Sequence, residues 1–319
     1  MKLSNAINFA FYFVAFFSNA FGFLLLWKVP DGPRFSATQR LYLLNISACE
    51  ITTCLLYMVI RVLNLEENST HSISIYKVTS SGLYFWYIGL MTLMTFDRFL
   101  VVYLNIRYPL IWSFKKTRFS LLLLFIVSVL VTIPFYVMDP LTLHFTVILY
   151  WWPILDTVFI VTCVATYSYF FSKIKKMRAQ QHVLDTSIAK RPTTEAVSLE
   201  NITQQQQQQQ PAEQPKKKSP RRHNPKQILT KIKRGFFTPT LLIITFLIFW
   251  LIPDQLFFWD LFTIYYRLVD EPIFGDLFFE MIKSCYPFGF ISDAVIYIFF
   301  QKEVFSYLKR KRSVLVKAR

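Results

Sequence analysis

The stretch "LMTFDRFLVVYLNIRYPLIWS", Leu93 to Ser113, sets an acid and a base side by side, Asp97 and Arg98, at the end of an apolar run. Charge in such a run is expensive unless it is paired and close to water. Working outward from the pair, apolar runs recur near 6–28, 41–63, 79–104, 119–138, 146–172, 237–258 and 276–300. About 20 apolar residues in a helix match the hydrocarbon thickness of a bilayer. The expected fold is an all-α membrane protein: a seven-transmembrane helix bundle within 1–311, closed by a short amphipathic C-terminal helix and basic tail over 301–319.

Composition points the same way. Of 319 residues, 54% are hydrophobic and only 17% charged, and 34 are phenylalanine. One water-soluble core could not hide so many large apolar side chains. Lys2 gives a positive start, yet the first run is as long as a full span and lacks a small-residue cleavage site, so it is expected to be the first helix. The four cysteines, Cys49, Cys54, Cys163 and Cys285, lie inside apolar runs and predict no loop disulfide. Four scattered histidines offer no metal-ligand spacing.

Charge sets the orientation. The connection from 173 to 234 carries 15 Lys/Arg against 4 Asp/Glu, and the tail after the seventh run is also basic. Lys28, Arg34 and Arg40 follow the first run, and Arg107, Lys115, Lys116 and Arg118 follow the third. The alternate connections hold Glu66, Glu67, Asp139, Asp260, Asp270 and Glu271 instead. Basic loops stay on the cytoplasmic side, which puts the N-terminus outside and the C-terminus inside the plasma membrane. The net charge of +16 thus serves topology and contact with anionic lipid, and no nucleic-acid partner is expected. Asn68 in "NST" falls in an outer loop and is the expected glycosylation site; Asn45 and Asn201 should stay bare. Residues 173–235 form the third cytoplasmic loop, largely disordered, with "QQQQQQQ" from Gln204 to Gln210 and a basic, proline-broken arm beyond it. Its two ends are expected to prolong the fifth and sixth helices.

Asp97-Arg98-Phe99 resembles the Asp-Arg-Tyr signature of rhodopsin-like G-protein-coupled receptors. The family continues into a segment of the form "HPLRY", where this chain reads "LNIRY", Leu104 to Tyr108, keeping Arg107 and Tyr108. The first run has "SNAFGFLLLW", with Asn19 at the family's asparagine, and the second has "LNISACE", with Glu50 at its acid. The seventh ends "SDAVIYIFF", where Asp293, Ala294 and Tyr297 stand at the places of "NPxxY". Four motifs in the family's order cover the chain from end to end, and the run from Asp97 to Tyr108 resembles the divergent seven-transmembrane chemoreceptors of nematodes. It departs from the pattern in four ways. The fourth run lacks the family's tryptophan, and the cysteines joining the third helix to the second outer loop are absent. Trp250 precedes Pro253 by three residues where the family has two, and "KIKR", Lys231 to Arg234, replaces the acid at the foot of the sixth helix.

The resemblance implies a receptor that binds an extracellular small molecule and activates a heterotrimeric G protein, with a chemosensory role. Asp97, Arg98, Phe99, Pro253 and Tyr297 would form the activation switch, with Asp97 the main restraint on Arg98. Asn19, Glu50 and Asp293 would form a polar centre that holds sodium in related receptors; a self-satisfied hydrogen-bond cluster is the alternative. No other cofactor is implied. Ser80 stands where amine receptors keep an aspartate and Pro287 where opsins keep their lysine, so neither a biogenic amine nor retinal is expected. Pocket candidates are Ser80, Tyr84, Tyr87, Trp250, Asp254 and Lys283, with Phe257 and Phe258 beside them. Lys283 either faces Asp254 within the pocket or pairs with Glu280 one turn away. A multi-pass transporter or ligand-gated channel would also account for the spans and for an intramembrane Asp156. It leaves the order of the motifs unexplained, and the paired halves of many transporters do not appear. No phosphate-binding glycine loop, zinc-protease motif or nucleophile elbow points to an enzyme.

Overall fold

The computed structural model describes residues 3–29, 37–62, 70–104, 107–133, 152–189, 225–256, 259, 276–300 and 304–309. Among these, all regular structure is helical. The long helices are α1 (Leu3–Lys28), α2 (Ala37–Val62), α3 (Thr70–Leu104), α4 (Phe114–Thr132), α5 (Trp152–Ala189), α6 (Pro225–Phe246) and α7 (Asp276–Val295). A single turn, Tyr108–Ile111, links α3 to α4, and a short helix occupies 304–309.

Among the described residues, five segments are long and apolar enough to cross a bilayer: Ala6–Lys28, Ala37–Val62, Ser81–Leu104, Pro153–Gln180 and Phe236–Leu256. That is the character of an all-α, multi-pass membrane protein. The other two expected spans differ for local reasons. α4 opens with Lys115, Lys116 and Arg118, and the run expected to 138 continues beyond the described residues. α7 opens with Asp276, Glu280 and Lys283, which leaves a shorter apolar stretch, Cys285–Phe300.

Large apolar side chains lie on the outside as well as in the core. Phe13, Phe17, Phe21 and Leu24 form an exposed stripe on α1, while Asn19 on the same helix is buried. α4 likewise exposes Leu122, Phe125, Ile126 and Val129 and buries Ser128. In a bilayer the outer face must be apolar and the polar groups must find partners inside the bundle.

Several helices outrun their apolar cores. α3 begins at Thr70, nine residues before the expected edge at 79, because "THSISIYKV" contains no glycine or proline to stop a helix. α5 continues to Ala189, and α6 starts at Pro225, whose fixed φ suits a first turn. The 173–235 connection is therefore helical at both ends, and its glutamine tract lies outside the described residues. Apolar length marks the bilayer and not the helix end.

The structure divides into two compact units. One comprises Met1–Thr166 with Arg234–Arg319, and the other Tyr167–Lys233. In the first, α1 packs on α2 and α7, and α2 on α3. α3 packs in turn on α4, and α7 on Leu247–Leu251, the turn that follows α6. α3 approaches α4 through Gly82 and Gly89, two turns apart on one face. A Cβ on Gly89 would come within 2.5 Å of Leu124 Cδ1, and one on Gly82 would collide with the Thr132 methyl. Small residues at such contacts let membrane helices pack closely. In the second unit, Lys173 lies 5.8 Å from the Tyr169 ring centroid.

Two helices change pitch. Leu247–Leu251, which continues α6, and Ile296–Phe300, which continues α7, are π-helical. In the first, the Ile252 N–H reaches back to Leu247 O, a five-residue step. Each such turn admits one extra residue and is common at functional sites. The wide turn in α6 contains Trp250 and ends just before Pro253, so it absorbs the additional residue noted between them.

Candidate functional site

Three polar layers lie within the first unit. At the end of α3, Arg98 donates to Asp97 Oδ2 from Nε at 3.0 Å and from a terminal nitrogen at 2.5 Å. Asp97 is fully buried and Arg98 nearly so. The other carboxylate oxygen, Oδ1, accepts from the Tyr108 hydroxyl at 2.6 Å. Burial and the adjacent carboxylate push the Tyr108 phenol well above its ordinary pKa, so it remains a proton donor.

Tyr108 is set there by local structure. Pro109 opens its turn, Ser113 Oγ caps α4 by accepting from Lys116 N at 3.4 Å, and Lys116 Nζ holds Ile111 O at 2.7 Å. Phe99 stacks on Tyr103, with centroids 5.5 Å apart. Among the described residues, Asp97 is the acid that pairs with Arg98.

The middle layer gathers residues from α1, α2, α3, α6 and α7. Asn19 Nδ2 donates to Ala15 O at 3.1 Å and Phe290 O at 3.0 Å, joining α1 to α7. Ser47 Oγ donates to Asn19 O at 3.1 Å, which brings in α2. Thr245 Oγ1 donates to Asp293 Oδ1 at 2.5 Å and Tyr87 to Asp293 Oδ2 at 2.8 Å. Tyr87 also lies 3.4 Å from Glu50 Oε1, and the Tyr297 hydroxyl is 3.5 Å from that atom. A tyrosine has one proton to give, so Asp293 receives the better bond and Glu50 the weaker ones.

Two buried oxygens in this layer, Asn19 Oδ1 and Glu50 Oε2, have no hydrogen-bond partner among the described residues. Orphaned hard oxygens beside a second carboxyl suit a small hard cation. Sodium, the ion implied for this centre, fits the donor set of Asn19, Glu50 and Asp293.

Above it, Trp250 stands at the centre of an aromatic cluster. Its ring centroid lies 5.0 Å from Tyr87, 4.9 Å from Tyr286, 5.0 Å from Phe290 and 6.2 Å from Tyr84. Gly289 makes the contact with α7 possible, since a Cβ there would press to 3.0 Å on Trp250 Nε1.

The hydroxyls beyond the rings reach two further acids. Tyr84 donates to Asp156 Oδ1 at 2.7 Å and Gln255 to Asp156 Oδ2 at 2.7 Å. Tyr286 donates to Asp254 Oδ1 at 2.6 Å. Pro253 is buried beside this layer. A separate apolar groove of about 520 Å³, lined by Phe85, Thr92, Leu124, Val127 and Val158, shares no residue with the polar layers.

The structure therefore brings together Asn19, Glu50, Asp293 and Tyr297, and separately Tyr84, Tyr87, Trp250 and Asp254. The Ser80 and Lys283 side chains, Asn68, Phe257 and Phe258 lie outside the described residues. Sequence reasoning missed Thr245 as a partner because a threonine in an apolar helix usually bonds its own backbone, and Gln255 and Tyr286 because nothing local marks their distant acids. Asp156 carried a usable signal, being an acid within a span. No protein-family model matches the chain, and no curated protein matches it.

Proposed function

We propose that the chain is a rhodopsin-like G-protein-coupled receptor of the divergent nematode chemoreceptor type. It would cross the plasma membrane seven times with its N-terminus outside, bind a small molecule there and activate a heterotrimeric G protein inside. The observation that carries this reading is the convergence of Asn19, Glu50, Asp293 and Tyr297 on one buried centre. The four come from three separate runs, and each was singled out by its place in a receptor motif. The Asp97–Arg98 pair at the end of α3, in a layer of its own, supports it further.

In this reading Arg98 is held by Asp97 at rest and swings toward the G protein when the lower part of α6 moves outward. The π turn and Pro253 supply the weak point on which α6 bends. Tyr297 turns away from Glu50 to support the freed Arg98. The ligand acts by binding one of two helix arrangements better than the other. Asn19, Glu50 and Asp293 would hold a sodium ion that supplies counter-charge to the acids of the resting state. The test is a metabolite screen on cells expressing the full chain, reading guanine-nucleotide exchange and membrane current together. Ligand-dependent exchange without current is expected. A ligand-gated current without exchange would make the protein a channel.

A further inference from the structure

We infer that Asp156 and Asp254, walled by Tyr84, Trp250 and Tyr286, form a recognition site for an organic ammonium ion. The inference rests on the receptor reading and names the ligand class of its pocket. The aspartate missing at Ser80 on the third helix is replaced here by two acids from α5 and α6.

Three observations carry it. First, both acids are buried, with Asp156 2% and Asp254 6% exposed, and Gln255, the neighbour of Asp254 in the chain, bonds Asp156 directly. Second, their hydrogen bonding is unequal. Asp156 has a donor on each oxygen, whereas Asp254 Oδ2 is buried and has no hydrogen-bond partner among the described residues. A carboxylate oxygen left bare in a dry interior is costly, and an ammonium N–H is the donor that removes the cost with a charge of the right sign. Third, the walls are aromatic: Trp250 lies 4.9 Å from the Tyr286 ring and 6.2 Å from the Tyr84 ring. Aromatic faces attract cations and accept the apolar part of an organic one. A carboxylate ligand would set a third acid against these two, and a neutral alcohol would bring no positive charge to meet them.

The experiment uses the purified full chain in detergent, with thermal unfolding and equilibrium binding as readouts that need no G protein. The probes are phenethylammonium, benzyltrimethylammonium and 1,4-diammoniobutane, compared with 3-phenylpropionate and 2-phenylethanol. At least one ammonium ion should bind saturably, ten times tighter or more than the anion and the alcohol. Asp254→Asn and Asp156→Asn should each weaken that binding at least tenfold, and Asp254→Glu should retain it. A mutant that does not elute as a monodisperse peak is judged by the wild-type probe comparison alone. Equal binding of all five probes, preference for the anion, or no binding overturns the proposal. So does weakening by Lys283→Met equal to that of Asp254→Asn, which would assign the carboxylate to the chain's own lysine. Ammonium binding without nucleotide exchange would keep the site and sink the receptor reading; exchange driven only by neutral or anionic compounds would do the reverse.

Discussion

The Tyr108 hydroxyl lies 2.6 Å from Asp97 Oδ1, so the carboxylate that restrains Arg98 is itself restrained from the turn following α3. Tyr108→Phe should leave one buried oxygen of Asp97 without a donor and so penalise the arrangement in which Asp97 holds Arg98. A hydrogen bond to a charged group contributes about 1.5–3 kcal/mol, so ligand-free nucleotide exchange should rise by roughly tenfold or more. Exchange measured at matched surface expression checks this, and an unchanged basal rate would remove Tyr108 from the restraint.

Arg98→Ala should bring nucleotide exchange to background while surface expression stays within about twofold. The buried Asp97 then loses its cation, which typically costs about 3–5 kcal/mol when one partner of a pair is removed. Thermal unfolding should therefore come earlier, and adding Asp97→Asn should recover stability without recovering exchange. Normal signalling by Arg98→Ala would end the assignment of the switch.

Gly82 and Gly89 should differ in their tolerance of alanine. A Cβ at Gly89 meets the flexible end of Leu124, whereas one at Gly82 meets the methyl of β-branched Thr132. Thr132 cannot yield easily, because its hydroxyl also bonds Val129 O at 2.6 Å. Gly82→Ala should cost about 1–3 kcal/mol, and Gly89→Ala should be close to neutral once alanine's better helix propensity is counted. Unfolding midpoints of the two variants in one detergent give the comparison.

Sodium should stabilise the resting protein. At tenfold excess over its Kd a bound ion contributes about 1.4 kcal/mol, worth roughly 2 °C for a chain of this size. Exchanging sodium chloride for potassium chloride at equal ionic strength should lose that shift, and Glu50→Gln should be insensitive to the exchange. An equal response in the variant would place the ion elsewhere.

Asn68→Gln should abolish an endoglycosidase-sensitive mobility shift that Asn201→Gln leaves intact. The opposite result would invert the topology read from the basic loops.

Sequence made some of this legible and hid the rest for physical reasons. Asn19, Glu50 and Asp293 were readable because polar groups in apolar helices have few affordable places except the bundle interior. Asp97 and Arg98 were readable because adjacent opposite charges can pair wherever the helix ends. Helix limits were not, since hydropathy reports the bilayer edge and "THSISIYKV" stays helical beyond it. The bond from Tyr108 to Asp97 spans eleven residues and depends on a turn that no periodicity announces. The π turns were hidden too. Only the odd spacing from Trp250 to Pro253 hinted at one of them, and Ile296–Phe300 left no trace in composition.

Those two wide turns have a mechanical consequence. Each stores a register defect, an extra residue held in a five-step bond pattern, and neighbouring bonds can exchange one at a time to pass the defect along the helix. Each residue in an α-helix turns the chain by about 100°, so moving a defect past Tyr297 would swing that side chain off Glu50 without lifting the helix. The same slip at Leu247–Leu251 would re-aim Trp250 beneath the Asp156–Asp254 layer. Ligand site and switch would then be geared by rotation about two helix axes, with no need for either helix to slide.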